Sequence, residues 1–167
     1  YDNDPVPAGA SDLPASAEYE YGAAITAAAA ATAPGYSFGG WVDEPSVMPA
    51  ANKTVYGTFT ANTDTAYTIE YYLEDLGADT YTKLASATES RTGVTDTTYT
   101  IVTGDIKSFD GFTYDEENGN NVLSGVINGN GTLVLKLYYT RDSYTLSYAY
   151  DNDPVPAGAS DLPASAE

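Results

Sequence analysis

The chain has 167 residues, enough for one large domain or two small ones. It carries 24 acidic against 6 basic side chains, a net charge of −18, and such a field repels nucleic-acid phosphates and anionic lipid. With no cysteine and no histidine, disulfides, thiolate chemistry and every histidine-dependent mechanism are excluded; no apolar run reaches the roughly 18 residues of a membrane span.

Residues 1–18 hold Pro5, Pro7 and Pro14, which preclude a long central strand and suit an edge segment or loop. Residues 22–33 (GAAITAAAAATA) are mostly alanine, the best helix former, and predict a short helix stopped by Pro34-Gly35. That helix is weakly apolar and needs a sheet to lie on. Residues 36–41 alternate large and small side chains and predict a strand, with a loop over 43–52. A second strand over 53–61 follows, rich in β-branched and aromatic residues. Residues 62–64 are a plausible boundary.

Beyond it, Tyr67, Ile69, Tyr71 and Leu73 share one face of a strand. A turn around Gly77 leads to a weaker returning strand over 81–90. Residues 93–107 leave a short helix and irregular chain both open. Phe109 to Phe112 reads as a strand entry and 115–121 as a turn. Strands over 122–127 and 133–139 predict a hairpin across Asn128-Gly129-Asn130-Gly131, a strong turn signal. After Arg141-Asp142, residues 143–150 predict a further strand with Tyr144, Leu146, Tyr148 and Tyr150 on one face. The 16 tyrosines supply much of the apolar content; each can bury a ring while its hydroxyl stays wet. The expected fold is mostly β (α+β): two small modules in tandem, each a mixed sheet with a short helix or irregular crossover. They are assigned to residues 1–62 and 63–142.

Residues 1–18 return unchanged as residues 150–167, an offset of 149. An identity of that length in so short a chain marks one period of a tandem array and the start of the next. Residues 143–167 then form the opening strand and loop of the following copy. The phase implies that the module over 1–62 lacks its opening strand and takes an equivalent one from a preceding copy, either upstream in the same chain or, by strand exchange, from a neighbouring subunit. Tyr144, Leu146, Tyr148 and Tyr150 are thus the candidate inter-repeat junction, and neighbouring copies are the expected partner.

Residues 34–41 (PGYSFGGW), Met48-Pro49 and residues 53–59 (KTVYGTF) resemble the Listeria–Bacteroides repeat of the internalin B-repeat type. Phe59 stands where that pattern ends in Trp. Residues 67–73 (YTIEYYL), Gly111-Phe112 and residues 135–139 (LKLYY) resemble the mucin-binding-protein-like repeats of Gram-positive surface proteins. Together the two resemblances cover nearly the whole chain. Both imply β-grasp, ubiquitin-like modules in long bacterial extracellular or cell-surface proteins, acting as stalk, fibre or adhesin. Neither brings catalytic residues, and no enzyme is expected.

The carboxylate pairs Asp2/Asp4, Asp43/Glu44, Glu74/Asp75 and Asp115/Glu116/Glu117 lie in turns, where solvation leaves them unfit for the split environments of acid–base catalysis. No cofactor is expected. Calcium is the metal to weigh, at Asp2-Asn3-Asp4, its repeat Asp151-Asn152-Asp153, and residues 115–120. An intramolecular Lys–Asn amide would need Lys53, Lys83, Lys107 or Lys136. The competing functional reading has Trp41 and Tyr36 stack on host glycans, against ordinary core packing.

Overall fold

The computed structural model describes residues 1–151 and 154–163. It is mostly β, as expected from the sequence. The first sheet pairs β1 (Tyr36–Val42) with β2 (Tyr56–Ala61) antiparallel, from Tyr36↔Ala61 to Val42↔Tyr56. A bulge between Phe38 and Trp41 falls at Gly39-Gly40, where Gly40 has φ 96°. That kink lets both Phe38 and Trp41 pack inward over Gly57, where an added Cβ would stand 2.6 Å from the Phe38 ring.

The larger sheet grows from β3 (Thr65–Glu74), whose tyrosine–isoleucine alternation buries Tyr67, Ile69 and Tyr71. β4 (Tyr81–Lys83) returns antiparallel, as expected of the turn at Gly77. A 3₁₀ turn at Ala85–Ala87 breaks the strand, and β5 (Glu89–Gly93) then pairs with the earlier half of β3. β6 (Thr98–Thr100) and a second 3₁₀ turn at Thr103–Asp105 occupy the region the sequence left open. β7 (Phe112–Tyr114) and β8 (Ser124–Val126) follow, then β9 (Val134–Arg141). β9 lies parallel to β3, from Thr68↔Val134 to Leu73↔Tyr139, and antiparallel to β7, so this sheet is mixed. On one face of the paired β3 and β9 sits the core: Ile69, Tyr71, Leu135, Leu137 and Tyr139, each at most 1% exposed.

Four expectations are corrected. Residues 22–33 form no helix. Ala24 instead bridges Val47, and the Ile25 and Met48 amides donate to Ser46 and Ala23 carbonyls at 2.9 Å each. A short alanine helix is marginal in water without a packed face, and the two-stranded sheet buries only Ala31 and Ala33 of the run. That first sheet is antiparallel rather than mixed. The hairpin over 122–139 forms its turn, with Gly131 N–H donating to Asn128 at 2.8 Å, but β8 pairs with β6. β9 is already held by β3 and β7, and only Val122 bridges it, at Lys136. Residues 143–150 lie outside the nine strands of the described residues, with one bridge position at Leu146.

β6 and β8 make a two-stranded sheet of their own, and the first sheet meets the rest of the fold at glycines. Gly35 and Gly129 approach so closely that a Cβ on Gly129 would stand 1.9 Å from the Pro34 carbonyl oxygen. Around that contact Thr95 Oγ1 donates to Gly35 O at 2.7 Å and Asn62 N–H to the same oxygen at 2.8 Å.

Candidate functional site

β1 covers one edge of β2. Along the other edge run residues 1–3: Asp2 N–H donates to Gly57 O at 3.0 Å. The Asn3 carboxamide accepts from Phe59 N–H at 2.7 Å and donates to Phe59 O at 2.9 Å, so a side chain mimics a strand's backbone. Tyr1 enters the aromatic cluster, 5.0 Å from Phe59 and stacked on Trp41 at 5.9 Å with a 16° tilt. Its hydroxyl donates to Ser11 O at 2.7 Å. Beyond Trp41, on which Tyr1 stacks, a cavity of about 550 Å³ opens, walled on one side by residues 13–17 and Tyr19 and on the other by Ile25, Trp41, Met48 and Val55.

The two residues read as glycan candidates are both engaged. Trp41 is half-buried against Phe38 and Tyr1, and its indole N–H donates to Ala29 O at 2.9 Å. Trp41 also lines the cavity. Tyr36 packs edge-on against Phe59, and its hydroxyl donates to Asp96, in the turn after β5, which raises its pKa. The junction residues are open to solvent: Tyr144 at 72%, Leu146 at 58%, Tyr148 at 51% and Tyr150 at 38%.

The duplicated segment keeps its local form at both places. Ala10 N–H donates to Pro7 O, and Ala159 N–H to Pro156 O, at 3.1 Å each. Tyr150 donates to Ser160 O as Tyr1 does to Ser11 O, and Gly9 and Gly158 both have positive φ, 73° and 83°.

A cluster of charges that sequence reading did not single out closes one end of the larger core. Asp105, only 2% exposed, accepts from Arg91 at 2.6 Å and from the Tyr99 hydroxyl and Val102 N–H at 2.9 Å each. Arg91 also forks onto Glu89, which Lys107 meets at 2.6 Å. Burial alone would raise the Asp105 carboxyl, but the Val102 amide, Arg91 and Tyr99 hold it below the usual range. Lys107 and Arg91 lower Glu89 likewise. Burial pushes Tyr71 and Tyr139 up to about 12. The alternation Glu89, Arg91 on β5 was the available signal, but it pointed to no partner in the stretch 93–107. Each of these groups already has a partner in the network, so the cluster is a structural lock.

Among the described residues no three or more metal-ligating side chains converge. Asn3 is bonded to Phe59, and Asp115 and Asn118 turn their oxygens onto their own loop, accepting from Glu117 N–H and Asn120 N–H. Asn152 and Asp153 lie outside the described residues. Lys53, Lys83 and Lys107 face carboxylates and Lys136 the Tyr72 ring, so none is poised on an asparagine carboxamide. The chain matches no family model, no curated protein and no solved structure.

Proposed function

We propose that the chain is a structural repeat unit of a bacterial extracellular fibre or stalk, joined end to end through the repeated segment. The two units, over 1–62 and 63–142, are read as β-grasp-like. The observation that carries this reading is the duplication, whose two copies share sequence and internal hydrogen bonds.

The larger sheet suits load. β3 enters at Thr65 and β9 leaves at Arg141, and the two strands are adjacent and parallel. A pull on the two ends drags them past each other in opposite senses, loading the six paired positions from Thr68 to Leu73 together in shear. Bonds that must break together resist force better than bonds that unzip singly. The net charge of −18 discourages side-to-side clumping of neighbouring fibres.

The test is negative-stain microscopy of chains built with one, three and six periods. Rods whose length grows in proportion to the number of periods are expected. Compact particles that grow in every dimension would overturn the reading.

A further inference from the structure

The edge of β2 that residues 1–3 follow leads toward the cavity lined by Lys53, Thr54 and Val55 and, across it, by residues 13–17. In the larger sheet Thr68 N–H donates to Leu133 O at 3.0 Å, and this bond sets the parallel register Thr68↔Val134. Asp2 N–H donates to Gly57 O at the same 3.0 Å. The next bonds, from Asn3, fall on Phe59, so residues 1–3 advance in the same direction as β2. The same geometry sets Asp2 opposite Thr58 and Tyr1 opposite Gly57. A strand continued backward from Tyr1 then passes Tyr56, Val55, Thr54 and Lys53. Three of those four, Val55, Thr54 and Lys53, line the cavity, and residues 53–55 lie outside the nine strands.

The sequence states what stands ahead of this tyrosine in its other copy: residues 143–149 precede Tyr150. In the continued register Ala149 falls opposite Tyr56, Tyr148 opposite Val55, Ser147 opposite Thr54 and Leu146 opposite Lys53. Side chains two apart share a face of a strand. Tyr1 points into the aromatic cluster, so Tyr148 and Leu146 point to the same side, where the cavity lies between Trp41, Ile25, Met48 and Val55.

We infer that a second copy of residues 143–149, set ahead of Tyr1 as it is set ahead of Tyr150, forms a strand along the free edge of β2 and fills the cavity with Leu146 and Tyr148. The occupant is this chain's own repeat, by β-strand addition. The edge that would otherwise invite unspecific pairing is thereby closed. This rests on reading the chain as a tandem-repeat unit.

The test adds residues 143–149 directly ahead of Tyr1 in the full 167-residue chain. A second version carries serine in the added counterparts of Leu146 and Tyr148. In the first version, amide exchange over 53–57 slows by roughly tenfold, the factor expected of a few added strand bonds. Acrylamide quenching of Trp41 falls with it. In the serine version most of both gains is lost. Unchanged exchange at 53–57, or equal protection by both added segments, overturns the proposal. Because no long array is used, failure here leaves the rod measurement standing. Rods that fail to form leave the exchange result standing in turn.

Discussion

Substituting Gly129 by alanine should loosen the contact between the first sheet and the rest of the fold. The added methyl would stand 1.9 Å from the Pro34 oxygen and 2.7 Å from its carbon. Real Cβ contacts essentially never fall under 3.0 Å, so the two loops must part by about 1.1 Å. Both neighbours are backbone, and no flexible side chain can give way instead. The bonds at stake are those of Gly35 O with Thr95 and Asn62, and that of Tyr36 with Asp96. At roughly 0.5–1.5 kcal/mol net for each, losing two or three costs about 1–4 kcal/mol. Gly104→Ala is the control, because nothing lies within 4 Å of its added methyl; it should stay within about 0.5 kcal/mol of the parent. Urea unfolding followed by Trp41 fluorescence and by far-ultraviolet dichroism reads both the loss and whether the first sheet and the rest of the fold still unfold together. If Gly129→Ala unfolds at the same urea concentration as Gly104→Ala, with coincident transitions, the glycine contact carries no stability.

Other outcomes follow from the larger core. Tyr71 and Tyr139 are held near 12 against about 10 when unfolded. Below pH 10 both states are protonated; above it the unfolded chain loses protons first, so stability falls by about 1.4 kcal/mol per pH unit for each tyrosine until the folded values are reached. Tyrosinate absorbance and urea midpoints between pH 8 and 12 check this, and a folded chain whose tyrosines all titrate near 10 would refute it. Asp105 and Glu89 are lowered, so their stabilisation is present above the ordinary carboxylate range of about 4 and fades as pH falls through their folded values. Asp105→Asn should therefore cost about 1–3 kcal/mol at pH 7, with the gap to the parent narrowing at pH 3; a gap independent of pH would count against the lock. Leu135→Ala, at a fully buried position, should cost about 2–5 kcal/mol in the same urea assay, and a cost under about 1 kcal/mol would mean that the core closes around the gap.

Where a strand is half-buried, the sequence was legible. The period-two pattern from Tyr67 to Leu73 placed the inward face of β3 correctly, and Leu135, Leu137 and Tyr139 did the same for β9. Gly39-Gly40 signalled close backbone contact, and the bulge lies there. What escaped was partner choice. Residues 122–127 and 133–139 look like hairpin arms because they are close in sequence, yet β9 takes β3, more than sixty residues earlier, as its parallel neighbour. The alanine run misled for a related reason: propensity is a local quantity, and three backbone bonds among Gly22, Ala23, Ile25, Ser46 and Met48 outweigh it. The charge lock was hidden because Asp105 sits in a stretch with no clear period, and its partner Arg91 is fourteen residues away.

The repeated segment separates local from tertiary causes within one molecule. Both copies keep the alanine–proline turn, the positive φ at Gly9 and Gly158, and the tyrosine-to-serine bond. Those features are therefore encoded by the segment itself. Burial is not shared. Pro7 is buried and Tyr1 half-buried in the aromatic cluster, whereas Pro156 and Tyr150 are exposed. One sequence thus meets two environments, and the difference lies wholly in what it rests on. The first copy has β2 beneath it, with the Asp2 amide bonded to the Gly57 carbonyl. The second has the preceding residues, with Tyr144, Leu146 and Tyr148 open to solvent.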